Sequence, residues 1–82
     1  MNNSFSIQYR NQQVNIEQLP SDQHGNAYFL VHLHEEDMLL EYTEDDEGAG
    51  HWLDKKTNHQ TADSVMLGQL IEQHMIEHKL NN

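Results

Sequence analysis

The chain has 82 residues, four basic against fourteen acidic, no cysteine, and a formal net charge of −10. That length suits one small domain with a limited core, and the lack of cysteine excludes a disulfide framework, a thiolate zinc site and a cysteine nucleophile. The acidic balance repels phosphates, which argues against direct binding to nucleic acid or to an anionic membrane.

No apolar run approaches the roughly 20 residues that span a bilayer. The opening "MNNSFSIQYR" has no charged segment leading into an apolar one, so no signal peptide is expected. A secreted domain this small usually carries disulfides, so the expected setting is cytoplasmic.

"FSIQY", residues 5–9, alternates apolar and polar side chains, the period of a half-buried strand. "NQQ" at 11–13 is expected to turn the chain, and Val14 and Ile16 carry a second strand to about Leu19. Pro20 lacks a backbone donor and stops it. "PSDQHGN" reads as a loop.

"AYFLVHLH", residues 27–34, is the clearest strand. Phe29, Val31 and Leu33 share one face, while Tyr28, Leu30, His32 and His34 share the other. "EED" at 35–37 is expected to turn into "MLLEYT" at 38–43. The acids at 44–47 and "GAG" at 48–50 make the next turn, and "HWLD" adds a short strand anchored by Trp52. Sequential strands with short connections predict an antiparallel meander.

The period changes after "KKTNHQ". Thr61 or Asp63 can cap a helix over residues 62–80. Leu67, Leu70, Ile71 and His74 form its apolar stripe at 100° per residue. Gly68 costs such a helix about 1 kcal/mol relative to Ala, unless close packing requires it.

The expected class is therefore α+β: an antiparallel meander of four or five strands with one C-terminal helix packed on one face. One domain, 1–82, is expected, with ends frayed over about 1–4 and 81–82. The core is expected from Phe5, Ile7, Tyr9, Val14, Ile16, Phe29, Val31, Leu33, Leu40, Tyr42, Leu67, Leu70 and Ile71.

The segments "YFLVHLH", "LLEYTEDDEGAGHW" and "LGQLIEQHMIEH" together resemble a group of small bacterial proteins. That group has a short meander, an acidic turn, a GxW-like element and a C-terminal helix. The resemblance covers most of the chain. It implies this fold and no particular reaction.

"HMIEH", residues 74–78, matches H-x-x-E-H, the pattern of the inverted zincin metallopeptidases. His74 and His78 project from one helical face and can share a Zn2+, with Glu77 as general base. That family takes its third ligand from a Glu well downstream, and only four residues follow His78. A packing or surface role is the expectation for both histidines. His32 and His34 in one strand would lie about 7 Å apart on one side, and with Glu35, Glu36 or Asp37 would make a mixed N/O site. Here too solvent exposure is the expectation.

"EDDEGAG" lacks the alternating ligands of an EF-hand loop. Its acids Glu44, Asp45, Asp46 and Glu47 suit a basic partner instead. Ser21, Asp22 and His24 share a loop, which is no evidence of a triad. The composition thus favours a non-enzymatic acidic protein-interaction module without a cofactor, monomeric or homodimeric, with a basic protein partner. The other reading is a divalent-metal protein using His32, His34, His74 and His78 with carboxylates, binding Zn2+ or Ni2+ weakly.

Overall fold

A computed structural model describes residues 3–80 of the chain, with side chains over residues 4–77. Five strands follow in chain order: β1 (Asn3–Tyr9), β2 (Gln12–Leu19), β3 (Ala27–His32), β4 (Asp37–Glu44) and β5 (Gly50–Asp54). They form one antiparallel sheet in the order β1-β2-β3-β4-β5. One helix, α1 (Ala62–Leu80), follows them among the described residues. The meander with a single C-terminal helix is therefore the fold, with five strands.

The first turn is tighter than "NQQ" suggests. Tyr9 pairs with Gln12, so Arg10 and Asn11 alone reverse the chain. Both have positive φ, 51° and 64°. Two left-handed residues are what the twist of a two-residue hairpin demands. The guanidinium of Arg10 sits 5.2 Å from the Tyr9 ring centroid and reaches Asp63 at 3.0 Å. Pairing reaches back to Asn3, so Ser4, expected in a frayed end, faces Glu17 in the ladder.

The strand period sorts the residues onto two faces. Phe5, Ile7, Tyr9, Val14, Ile16, Phe29, Val31, Leu40, Tyr42 and Trp52 share one face by register. The helix covers that face, chiefly along β5, β1 and β4. Val31, Ile16, Leu40, Leu67 and Ile71 are fully buried there. Phe5, Ile7, Leu33, Tyr42 and Leu70, expected in the core, are only partly buried and pack against it. The other face carries Tyr28, Leu30, His32, Leu39, Glu41 and Leu53, with Glu41 buried beneath its neighbours.

The helix starts on a reciprocal cap. Thr61 Oγ1 accepts from the Ser64 amide at 3.0 Å, and Ser64 Oγ accepts from the Thr61 amide at 2.8 Å. This is a capping box with Ser in the third position instead of Glu or Gln. Ser64 is fully buried, and its Oγ also lies 2.9 Å from the Trp52 carbonyl oxygen. One side chain thus caps α1 and fixes its start on β5. Asp63, the alternative cap, instead accepts from Tyr9 Oη at 2.6 Å and from Arg10.

The buried line along α1 is Ser64, Leu67, Gly68 and Ile71. A β-carbon at Gly68 would overlap Cγ, Cδ1 and Cδ2 of Trp52. Gly68 is therefore the place where the helix backbone rests on the indole, the close packing that offsets its low helix propensity. Among the described residues no helix is long and apolar enough to cross a membrane.

Candidate functional site

Because Gly68 brings the middle of α1 down on Trp52, the half beyond it overhangs the ends of the central strands. The space beneath is a cleft of about 440 Å³. Ala27, Phe29, Tyr42 and Trp52 form its floor, Glu72, Met75 and Ile76 its helical wall, and Gln18 one end. The aromatics are held by one another. The Trp52 ring centroid lies 5.3 Å from Phe29 and 5.1 Å from Tyr42, both tilted, a favourable geometry for aromatic pairs.

Trp52 Nε1 donates to Glu72 Oε1 at 2.9 Å. The indole is thereby satisfied at the apolar floor, and a carboxylate is fixed at the rim. Burial raises the Tyr42 hydroxyl above the ordinary tyrosine range, and the charges of Glu44 and Glu72 push it the same way. Tyr42 also lines a second, polar depression of about 460 Å³ with His24, Gly25, Asn26, Thr43, Glu44 and Asp45. An apolar cleft and an acidic hollow thus meet at one tyrosine.

The acidic tract is exposed at all four positions, but its members differ. Asp45 is turned onto its own turn. Its Oδ1 accepts the amides of Glu47 and Ala49, each at 2.9 Å, and its Oδ2 meets His51 Nε2 at 3.0 Å. Glu44, Asp46 and Glu47 flank it. Asp45 is therefore a structural residue of the turn and a poorer contact for a partner.

The pair has a pH signature. The hydrogen bond to Asp45, aided by Gln60, raises the His51 pKa. The same bond to His51 lowers that of Asp45, and the Ala49 and Glu47 amides add to it. A raised histidine contributes stability below its ordinary value near 6.5, lost as pH rises through the folded value. A depressed aspartate contributes above its ordinary 3.8, lost as pH falls through the folded value. The turn is therefore tightest between these limits. In NMR titrations, His51 is expected to titrate at higher pH in the parent chain than in an Asp45→Asn variant. Equal midpoints would refute the pairing.

Of the histidines proposed for metal, His32, His34 and His74 occupy separate places. His32 ends β3 on the open face, and its Nδ1 and Nε2 lie 3.1 Å from Asp37 and 3.7 Å from Glu17. The ring stands between these carboxylates, so they diverge from any single point beside it. The strand ends at His32, which pairs with Asp37. His34 consequently lies in the four-residue connection 33–36, exposed, and is not the strand partner of His32. The reason is the register: His32 pairs with Asp37, so the connection takes in Leu33 and His34 as well as Glu35 and Glu36.

His74 lies on the covered side, stacked on Phe5 with centroids 4.1 Å apart and planes 9° from parallel. The sheet separates it from His32. Glu77 is exposed and accepts weakly from Gln73 Nε2 at 3.4 Å. The side chain of His78 lies outside the described residues. Among the described residues no three or more His, Asp or Glu side chains are grouped to hold a metal ion.

The Ser21, Asp22 and His24 loop has no triad geometry. Asp22 Oδ1 accepts the backbone amides of His24 and Asn26, at 2.9 and 3.0 Å. Burial raises its pKa, but hydrogen bonds from Tyr28, Asn26 and His24 outweigh that and lower it.

The cleft was not expected from sequence. Its only signal was negative: at 100° per residue Ile76 lies outside the centre of the apolar stripe and Met75 lies at its border. No protein-family model, curated protein or solved structure matches the chain.

Proposed function

We propose that this chain is a non-enzymatic, acidic protein-interaction module that binds a basic protein partner in a reducing, cytoplasmic setting. The observation that carries this reading is the apolar cleft lined by Glu72, which shares Tyr42 with the hollow lined by Glu44 and Asp45. Apolar ground with charge at its edge is the anatomy of a recognition surface. The net charge of −10 gives that surface its preference, since it steers cations inward and turns anions away. Glu44, Asp46 and Glu47 are the acids of the tract best placed to meet such a partner.

The test is affinity capture on the full chain, with the retained proteins identified and eluted by rising salt. Basic proteins are expected, released as salt shortens the screening length from about 10 Å at 0.1 M to about 3 Å at 1 M. Retention indifferent to salt, or partners that are themselves acidic, would overturn the reading.

A further inference from the structure

We infer that the cleft under the second half of α1 is a docking groove for a short basic segment of a partner protein. The segment seats a bulky apolar side chain against Trp52 and Tyr42, and places Lys or Arg beside Glu72 in the groove and toward Glu44 in the hollow that shares Tyr42. This rests on the interaction-module reading and gives it a site and a partner chemistry.

Apolar surface is left over at this cleft. Three large apolar side chains are exposed among the described residues: Met66 at 46%, Met75 at 38% and Ile76 at 58%. Met75 and Ile76 both line this cleft, and Met66 does not. Single exposed apolar residues need no explanation, but two converging over an aromatic floor form a patch with a use. The space is of a size for a ligand or a few side chains, toward the small end of the pocket range of roughly 300–1,000 Å³.

Charge chooses the occupant. A second copy would bring another chain of net charge −10, with its own Glu72 at the same groove and its Glu44 in the hollow on the other side of Tyr42. A fatty carboxylate would meet those acids with its headgroup. A segment carrying Lys or Arg next to its apolar residue satisfies both parts of the surface. The groove is built to stay open, since Gly68 fixes the helix on Trp52 and Glu72 holds the indole by its Nε1.

Trp52 is the sole tryptophan of the chain and lies in the groove floor, so its emission reports occupancy directly. The full chain is titrated with a short synthetic peptide of alternating lysine and leucine, at low and at raised salt. A saturable change in Trp52 emission is expected. Replacing the peptide leucines by serine, or Ile76 by serine in the protein, is expected to weaken binding by about tenfold, the effect of losing one well-buried apolar contact. Met66→Ser is expected to leave binding unchanged, and a glutamate–leucine peptide is expected not to bind. Circular dichroism confirms that each variant keeps its fold.

Equal binding of the leucine and serine peptides, or full binding by Ile76→Ser, overturns the groove. In either case salt-sensitive binding would leave the acidic-module reading standing. Equal binding of the glutamate peptide overturns the choice of a basic occupant. Sedimentation showing a dimer that Ile76→Ser dissociates assigns the groove to a second copy and overturns the proposal. No binding of any peptide overturns it as well, and the capture experiment still decides the broader reading alone.

Discussion

Gly68→Ala is expected to destabilise the fold by about 2–4 kcal/mol, although alanine is the better helix former. The propensity gain is about 1 kcal/mol. Against it stands a methyl group overlapping three atoms at the base of the Trp52 indole. That part of the ring is close to its own backbone and cannot swing aside alone. Trp52 is 6% exposed, tilted against Phe29 and Tyr42, and bonded to Glu72. Either α1 lifts, which uncovers Leu67 and Ile71, or the indole leaves its site.

Overpacking costs about 1–3 kcal/mol, and truncating a buried Trp costs about 3–5. A domain of this size has roughly 4–12 kcal/mol in total, so thermal unfolding should drop by about 10–25 °C. Gly50 supplies the control. A β-carbon there also collides, but chiefly with the Tyr42 hydroxyl at the far end of a half-buried ring. Gly50→Ala should therefore cost less. Placing Gly68→Ala on a Trp52→Leu background should reduce the glycine effect, because the obstructing ring is gone. A stability equal to or above the parent for Gly68→Ala would show that the helix does not rest on Trp52.

The same contact explains what was legible in the sequence. Strands declare themselves through alternation, as Phe5, Ile7 and Tyr9 do, and all five lie where that period put them to within a few residues. The helix spans 62–80 as its composition implied, since its cap and its freedom from most strand formers are local properties. In β3 taken alone the covered face was not legible. β3 is apolar on both sides, with Phe29 and Val31 on one and Tyr28 and Leu30 on the other, so periodicity there is ambiguous.

The helix meets that face along the small residues Ser64 and Gly68, which hydrophobicity counts as poor core positions. Ser64 is buried because its hydroxyl completes a cap and reaches Trp52. Gly68 is buried because nothing larger fits. The same shift of the packing line leaves Met75 and Ile76 over the sheet end, and so creates the cleft. It assembles from β2, β3, β4, β5 and α1, and no stretch of sequence encodes it alone. The histidines show the converse. His32 and His34 look paired in a linear strand, but ending β3 at His32 sends one to the ladder and the other to a loop.

The second large effect lies on the open face, at Glu41. Its carboxylate is buried, with 10% of the side chain exposed, and Lys55 Nζ stands 3.2 Å from Oε1. Oε2 lies 2.9 Å from Tyr28 Oη, which is also 2.9 Å from Asp22 Oδ2. A phenol has one proton, so it cannot donate to both carboxylates at once. These two acceptors, Asp22 first, raise the Tyr28 pKa well above its ordinary value. Lys55 is therefore the cation that offsets the charge of Glu41.

Lys55→Met is expected to cost about 1–3 kcal/mol. Breaking a fully buried pair costs about 3–5, and Lys55, 31% exposed, requires a discount for screening. Glu41→Gln should cost less than Lys55→Met, because the ammonium keeps Asn58 Oδ1 at 3.0 Å and reaches water. The asymmetry is the diagnostic: the more buried member is the one that cannot be left alone. The double variant Glu41→Gln/Lys55→Met should recover most of the loss, since no buried charge remains and the glutamine amide can donate to the Tyr28 oxygen while Tyr28 donates to Asp22. Urea unfolding with unchanged slopes measures all three. A double variant no more stable than Lys55→Met would mean that the loss comes from the packing of the lysine stem, with charge playing no part.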